Sequence, residues 1–390
     1  MDNPDIQPAN TARYTLDGDA SVEARIDRDQ QVIAEAVDAV VDDASFCGLI
    51  LMGGYGRGEG GFVFQNGQPA PYNDYDYFVV VEGLDRPQRG ELDQRLAQQA
   101  ERLEHDVGVE VDFALLQKER LPGAEYSLMN AEMIWGHRVI SGEQDALQSM
   151  PDMPFASLPM GEFTRLLTNR GALLLMNQAG LAAVNSRQPD QEVLFKYLFK
   201  AVLACGDARL AGNASYNPSY PRKLELLHSM EWAGHDEFMD LYELAWQHKF
   251  HPDYQVFARE ESVEWQRKVV AVWLDTLAWF ETQRSGRPFV GWERYASFAF
   301  GKGQGGSAWG GLRNLAITLR DFGPMELLKR PFWSLRYPRE RLIAVLPLLL
   351  SDSNPGRKLS QLEAAALASG NDITWSQAVD VFLGLWKRYA

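Results

Sequence analysis

Apolar positions recur at helical spacing through Val32, Ile33, Ala36, Val37 and Val40, which predicts an amphipathic helix ahead of the apolar run Phe46 to Met52. That run reads as a strand, as do Tyr75 to Val81 and Val109 to Leu116, and the charged stretch from about Arg86 to His105 between the last two reads as a helix. Phe78 to Val81 is apolar on both parities, so its strand is expected to be covered on both faces. Phe62 to Tyr72 reads as an inserted hairpin or loop turning at Asn66-Gly67. Helix and strand alternation of this kind predicts an α/β lobe. Past Met150-Pro151-Asp152-Met153-Pro154 long helical periodicities take over, through Leu166, Leu167, Leu173 and Leu174, then Val193 to Leu210, Phe238 to Trp246 and Val263 to Phe280. The expected organisation is a flexible tail over 1–20, an α/β lobe over 21–155 and an α-helical domain over 156–390, with a sub-boundary near 285–311.

Composition narrows the class. At 390 residues with 46% hydrophobic content, the chain is long enough for two globular domains. Its acidic start, Met1 to Asp5, lacks the apolar core of a signal peptide. The longest apolar run, Leu342 to Leu350, is too short to span a membrane and contains Pro347. A cytoplasmic protein without membrane association is expected. The two cysteines, Cys47 and Cys205, are expected to be buried and reduced, and the six histidines show no zinc-ligand spacing. Residues 1–150 carry 11 Lys and Arg against 28 Asp and Glu, a balance of −17. So acidic a lobe disfavours nucleic acid and would attract a cationic acceptor, although the plainer reading is that these acids solvate helices such as Glu91 to Asp106.

Candidate chemistry lies in three acids: Asp74 and Asp76 in Asn73-Asp74-Tyr75-Asp76-Tyr77, and Asp112 in Glu110-Val111-Asp112-Phe113. Residues two apart on a strand share a face, so Asp74 and Asp76 converge there and a neighbouring strand can bring Asp112 beside them. Clustered carboxylates repel one another unless a divalent cation sits among them, and hard oxygen donors suit Mg²⁺ or Mn²⁺. Glu110 shares the parity of Asp112, but the shorter side chain loses less rotamer freedom on holding a metal. Upstream, Gly53-Gly54-Tyr55-Gly56-Arg57-Gly58-Glu59-Gly60-Gly61 leaves the first strand as a glycine-rich loop. Exposed backbone N–H groups and the Arg57 fork make it a candidate triphosphate cradle, with Gly53, Gly54, Tyr55 and Arg57 as nucleotide-binding candidates.

A glycine loop, then hydrophobic-Asp-hydrophobic-Asp, then hydrophobic-Asp-hydrophobic resembles the nucleotidyltransferase superfamily with the DNA polymerase beta fold, over roughly residues 30–145. Gly53, Arg57, Gly58 and Glu59 match the family's Gly-Ser-x-Ala-Arg-Gly-Glu loop, whereas Gly54 replaces its serine. The resemblance implies an α/β (α+β) lobe with a mixed central sheet and a larger helical domain. It also implies two Mg²⁺ or Mn²⁺ ions about 3.5–4 Å apart held by Asp74, Asp76 and Asp112. Asp112 doubles as the candidate general base. The implied reaction moves an NMP from an NTP, ATP foremost, to a hydroxyl of an unidentified small molecule or protein. A nucleotide second-messenger synthase, RNA-end addition and a non-catalytic nucleotide-binding regulator are the alternatives. The segment around Lys200 to Ala208 and Tyr216 to Lys223 resembles the helical domain that closes over the nucleotide in several members, which implies triphosphate contacts from Lys196 or Lys200. Both lie with Asp207 on one helical stripe, and an ordinary exposed lysine pair has the same spacing.

Two other stretches carry less. Gly301 to Gly311 is glycine-dense but lacks a P-loop ending and reads as a connector. Eight Lys and Arg against three acids between Lys302 and Arg341 could guide a phosphorylated acceptor but read first as a solvated helical face, and the tryptophans of the C-terminal half read as core anchors.

Overall fold

The computed structural model describes residues 12–182, 190–297, 308–329, 333, 335–369 and 372–389. It divides into two compact units, the first comprising Met1–Leu158 with Tyr216–Glu225 and Trp246–Asp253, the second comprising Pro159–Ser215, Leu226–Ala245 and Tyr254–Ala390. The first unit's main stretch ends at Leu158, and two short segments from beyond it also belong to that unit.

In the first unit, helix α1 (Ala20–Asp38) starts at Asp19, whose side chain accepts from the backbone of Ser21 and Val22. Val22, Ile26, Ile33 and Val37, at helical spacing, form its buried stripe. Of the expected tail, residues 1–11 lie outside the described residues, whereas Tyr14 and Thr15 are buried, Tyr14 N–H donates to Glu23 at 2.7 Å, and Thr15 bridges to Gly60. Strand β1 (Phe46–Leu51) feeds a short helix, α2 (Gly53–Arg57), where an open loop was expected. The β2 (Phe62–Gln65) and β3 (Gln68–Pro71) hairpin turns at Asn66 and Gly67 with φ of 52° and 76°, as a two-residue turn with both centres left-handed requires. Strand β4 (Tyr75–Val81) is followed by helix α3 (Arg86–Val107), which opens on an Asp85/Gln88 capping box and closes on left-handed Gly108. Then come β5 (Val111–Gln117), helix α4 (Leu128–Trp135) and β6 (Arg138–Gly142).

These strands form a four-stranded mixed sheet in the order β5-β4-β1-β6, with β4 parallel to β5 and β1 antiparallel to both its neighbours. Alternation along β4 sorts its faces. Tyr75, Tyr77, Val79 and Val81 pack with α1 and α3 residues such as Ile33 and Leu96. On the opposite face Val80 packs with Leu121, Met133 and Leu147, while Asp76, four residues earlier, stays partly exposed. The cover thins toward the start of β4, and there the acids stand.

The second unit is helical. Helices α5 (Met160–Ala182), α6 (Gln191–Gly212), α7 (Tyr220–His228), α8 (His235–Phe250) and α9 (Ser262–Ser285) follow in order, the first parts of α7 and the last of α8 belonging to the first unit. Leu174, Leu198, Val202, Trp273 and Leu277 are buried among the helices of the second unit. Further on lie helices Ala308–Asp321, Pro324–Lys329, Pro338–Ser351, Gln361–Ala366 and Trp375–Tyr389. The glycine-dense stretch falls outside the described residues up to Ser307, and Ala308 to Gly311 begin a helix rather than a connector. The basic stretch is not simply a solvated face. Arg336 and Arg341 are buried, and Arg341 pairs with buried Glu326 at 2.9 Å. Trp273, Trp333 and Trp375 are core residues, and both cysteines are buried free thiols. Among the described residues no helix is long and apolar enough to cross a membrane.

Candidate functional site: a carboxylate pair against a glycine turn

Asp76 of β4 and Asp112 of β5 are register partners in the parallel ladder, so their side chains leave neighbouring strands on the same face. Asp112 is exposed and Asp76 partly so. Asp74 precedes β4 by one residue, shares Asp76's parity and is partly exposed. Glu110 lies before β5, where its carbonyl accepts from Tyr75 N–H at 2.9 Å.

The glycine turn is built against this pair. Met52 N–H donates to the Asp76 carbonyl at 2.8 Å, and Gly53 follows with φ of 65°. A Cβ on Gly53 would stand 2.9 Å from Asp76 Oδ2, so the turn reaches the carboxylate only because that position has no side chain. A Cβ on Gly54 would stand 2.9 Å from the Glu59 carbonyl oxygen, so this turn has no room for a larger residue such as serine there.

Tyr55 and Arg57, expected to face a nucleotide, point elsewhere. Tyr55 is buried, donates to the Gly61 carbonyl at 2.6 Å and accepts from the N–H groups of Tyr72 and Asn73 at 3.0 and 3.2 Å. Asn73 Oδ1 accepts from Gly61 N–H at 2.7 Å, so the turn is tied to the residues just before Asp74. Burial pushes the Tyr55 hydroxyl well above its ordinary range, and the charge of Asp74 adds to this.

Arg57 is 7% exposed rather than an open fork. Its Nη1 lies 3.2 Å from Glu132 on α4 and its Nε 3.7 Å from Glu59. Burial works against its charge, but Glu132 and then Glu59 more than offset this and raise its pKa above the usual range. Burial likewise works against the Glu132 carboxylate, and Arg57, Lys223, the Tyr216 hydroxyl and Lys249 together hold it below its ordinary range. Ser219 Oγ donates to Glu59 at 2.9 Å. Lys223, buried, lies over the rings of Tyr216 and Tyr220 at 4.8 and 4.4 Å, and Lys249 lies 4.4 Å over Tyr220.

Lys196 and Lys200 sit on α6 in the second unit, whereas the lysines gathered around the turn within the first unit are Lys223 and Lys249. Sequence reasoning missed Lys249 and Glu132, although an acid flanked by the apolar Ala131 and Met133 was a signal of a paired buried charge.

Among the described residues no group of three or more His, Cys, Asp or Glu is arranged to hold a metal, so the three acids do not form a closed cage. What stands here is an open pair, Asp76 and Asp112, with Asp74 next to it. Mg²⁺ is ordinarily bound through one or two carboxylates with water and substrate phosphates completing its shell, and this hard-oxygen pair fits that ion. No protein-family model, curated protein or solved structure matches the chain.

Proposed function

We propose that this chain is a divalent-metal-dependent nucleotidyltransferase that moves an NMP from an NTP, ATP first among candidates, to a hydroxyl-bearing acceptor with release of pyrophosphate. The observation that carries the reading is the lateral pairing of Asp76 and Asp112 on parallel strands, with Gly53 packed on the Asp76 carboxylate. A mixed sheet bearing such a pair beside a glycine turn supports reading the lobe as a nucleotidyltransferase fold. Asp76 and Asp112, with Asp74, would hold Mg²⁺ or Mn²⁺, which supplies neutralising charge at the triphosphate.

The chain's own part is placement and proton transfer. The backbone of the turn at Gly53 and Gly54 offers close approach to phosphate oxygens. Asp112, the most exposed of the three, takes the proton of the acceptor hydroxyl as its oxygen attacks the α-phosphorus and the bond to pyrophosphate breaks. The acidity of residues 1–150 supports a small-molecule or protein acceptor over nucleic acid. Dependence on NTP, together with two free buried thiols, fits a cytoplasmic setting.

Incubation with each labelled NTP and Mg²⁺, alone and then with cell extract, tests the proposal. Pyrophosphate release with label transferred to an extract component is expected. Nucleotide products formed without extract would mean a synthase instead, and nucleotide binding with no pyrophosphate released in any mixture would overturn the enzymatic reading.

A further inference from the structure

Arg57, Glu59 and Glu132 hold the glycine turn with buried charge, which is a costly way to do so. Apolar side chains of similar volume are often as stabilising as a buried ion cluster, so what the charges contribute is the single geometry they accept. Arg57 ends α2, and the next residue, Gly58, is left-handed at φ 77°, so the direction of the guanidinium and the path of Gly58 to Gly61 are set together. Arg57 Nε is buried with no hydrogen-bond partner, leaving the 3.2 Å contact to Glu132 as its close anchor. Glu132 is itself fixed: its neighbours Ala131 and Met133 are buried and it accepts the Tyr216 hydroxyl. At the far end of the same short helix, Gly53 abuts Asp76.

We propose that Glu132 is a positioning residue: acting through Arg57, it sets the conformation of the Gly53–Gly61 turn and so the place of the Asp76 carboxylate. Its effect on turnover rests on the nucleotidyltransferase reading, whereas its effect on the turn does not.

Hydrogen exchange on the full-length chain tests this with Glu132→Gln and Tyr216→Phe, the second removing only the hydroxyl that Glu132 accepts. Exchange in peptides covering 53–61 is expected to rise at least tenfold in Glu132→Gln and less in Tyr216→Phe, while β1 and β4 stay protected as in the parent. With a transferred nucleotide as readout, kcat should fall at least tenfold in Glu132→Gln while the NTP KM moves by less than threefold. Unchanged exchange over 53–61 in both variants, or a rise spread evenly over β1 and β4, would overturn the proposal. Should Glu132→Gln fail to fold, Tyr216→Phe alone decides by the same comparison. Absence of transfer by the parent enzyme would end the reaction reading and leave the exchange result standing.

Discussion

Gly53 and Asp76 approach each other so closely that a methyl group on Gly53 would stand 2.9 Å from the Asp76 carboxylate oxygen, while Gly53 itself holds a left-handed φ of 65°. Gly53→Ala therefore meets two penalties at once. The backbone conformation alone costs an L-residue about 1–2 kcal/mol, and the added methyl displaces the carboxylate. Thermal unfolding should show a lower midpoint than the parent, and metal-dependent nucleotide binding should fall at least tenfold.

Asp76→Asn and Asp112→Asn remove charge from the open sheet face while keeping shape. Neither side chain belongs to the buried core, so unfolding midpoints should stay within a few degrees of the parent. Transfer activity should drop by a factor of about 100 or more in each, as expected for groups that act on developing charge. Full activity in either variant would remove that residue from the site.

Gly54→Ser introduces the serine of the loop that Gly53 to Glu59 resembles. A serine there would improve phosphate binding if the position were open. Here the Glu59 carbonyl occupies the space, and backbone yields less readily than a side chain. Overpacking of this kind costs about 1–3 kcal/mol, so the variant should be less stable and no tighter for nucleotide, by denaturant titration and equilibrium binding.

Glu132 links stability to pH. Its carboxyl is held below its ordinary range in the folded chain, chiefly by Arg57 acting against the effect of burial. A depressed folded pKa contributes stability that is fully present above the unfolded value, about 4.3 for a glutamate, and is lost as pH falls through the folded one. The parent should lose more stability than Glu132→Gln between pH 5 and more acidic conditions, measured by denaturant midpoints at each pH.

In the helical unit, Arg341 and Glu326 form a buried pair at 2.9 Å, with Arg341 Nε also donating to the Trp333 carbonyl. Arg341→Ala removes the guanidinium paired with the buried Glu326 carboxylate and should cost about 3–5 kcal/mol. Replacing both by methionine should cost far less, which calorimetry of the two variants would show.

Much of the lobe was legible because its signals are local. The periodicity through Val32 to Val40, the both-parity apolar run Phe78 to Val81 and the Asn66-Gly67 turn each specify an element without reference to distant residues. Parity alone placed Asp74 and Asp76 on one face, and parallel register then set Asp112 beside Asp76. Less legible was everything decided by long-range packing. The glycines read as a phosphate loop are also required by contacts with Asp76 and Glu59, which the sequence does not show. Arg57 looked like a free fork because its partner Glu132 lies 75 residues away. Tyr14 and Thr15 looked like tail because their partners, Glu23 and Gly60, belong to other elements. The assignment of Tyr216–Glu225 and Trp246–Asp253 to the first unit has no local signature at all.

Titration of Mn²⁺ into the chain, with and without a non-hydrolysable ATP analogue, followed by the paramagnetic resonance of free Mn²⁺, decides whether the acid pair takes up a divalent ion together with a nucleotide. Ion and nucleotide are expected to strengthen each other's binding in the parent, and Asp76→Asn and Asp112→Asn each to weaken it at least tenfold with the fold intact. Mn²⁺ uptake that is identical in the parent and both variants, or indifferent to the nucleotide, would contradict this expectation.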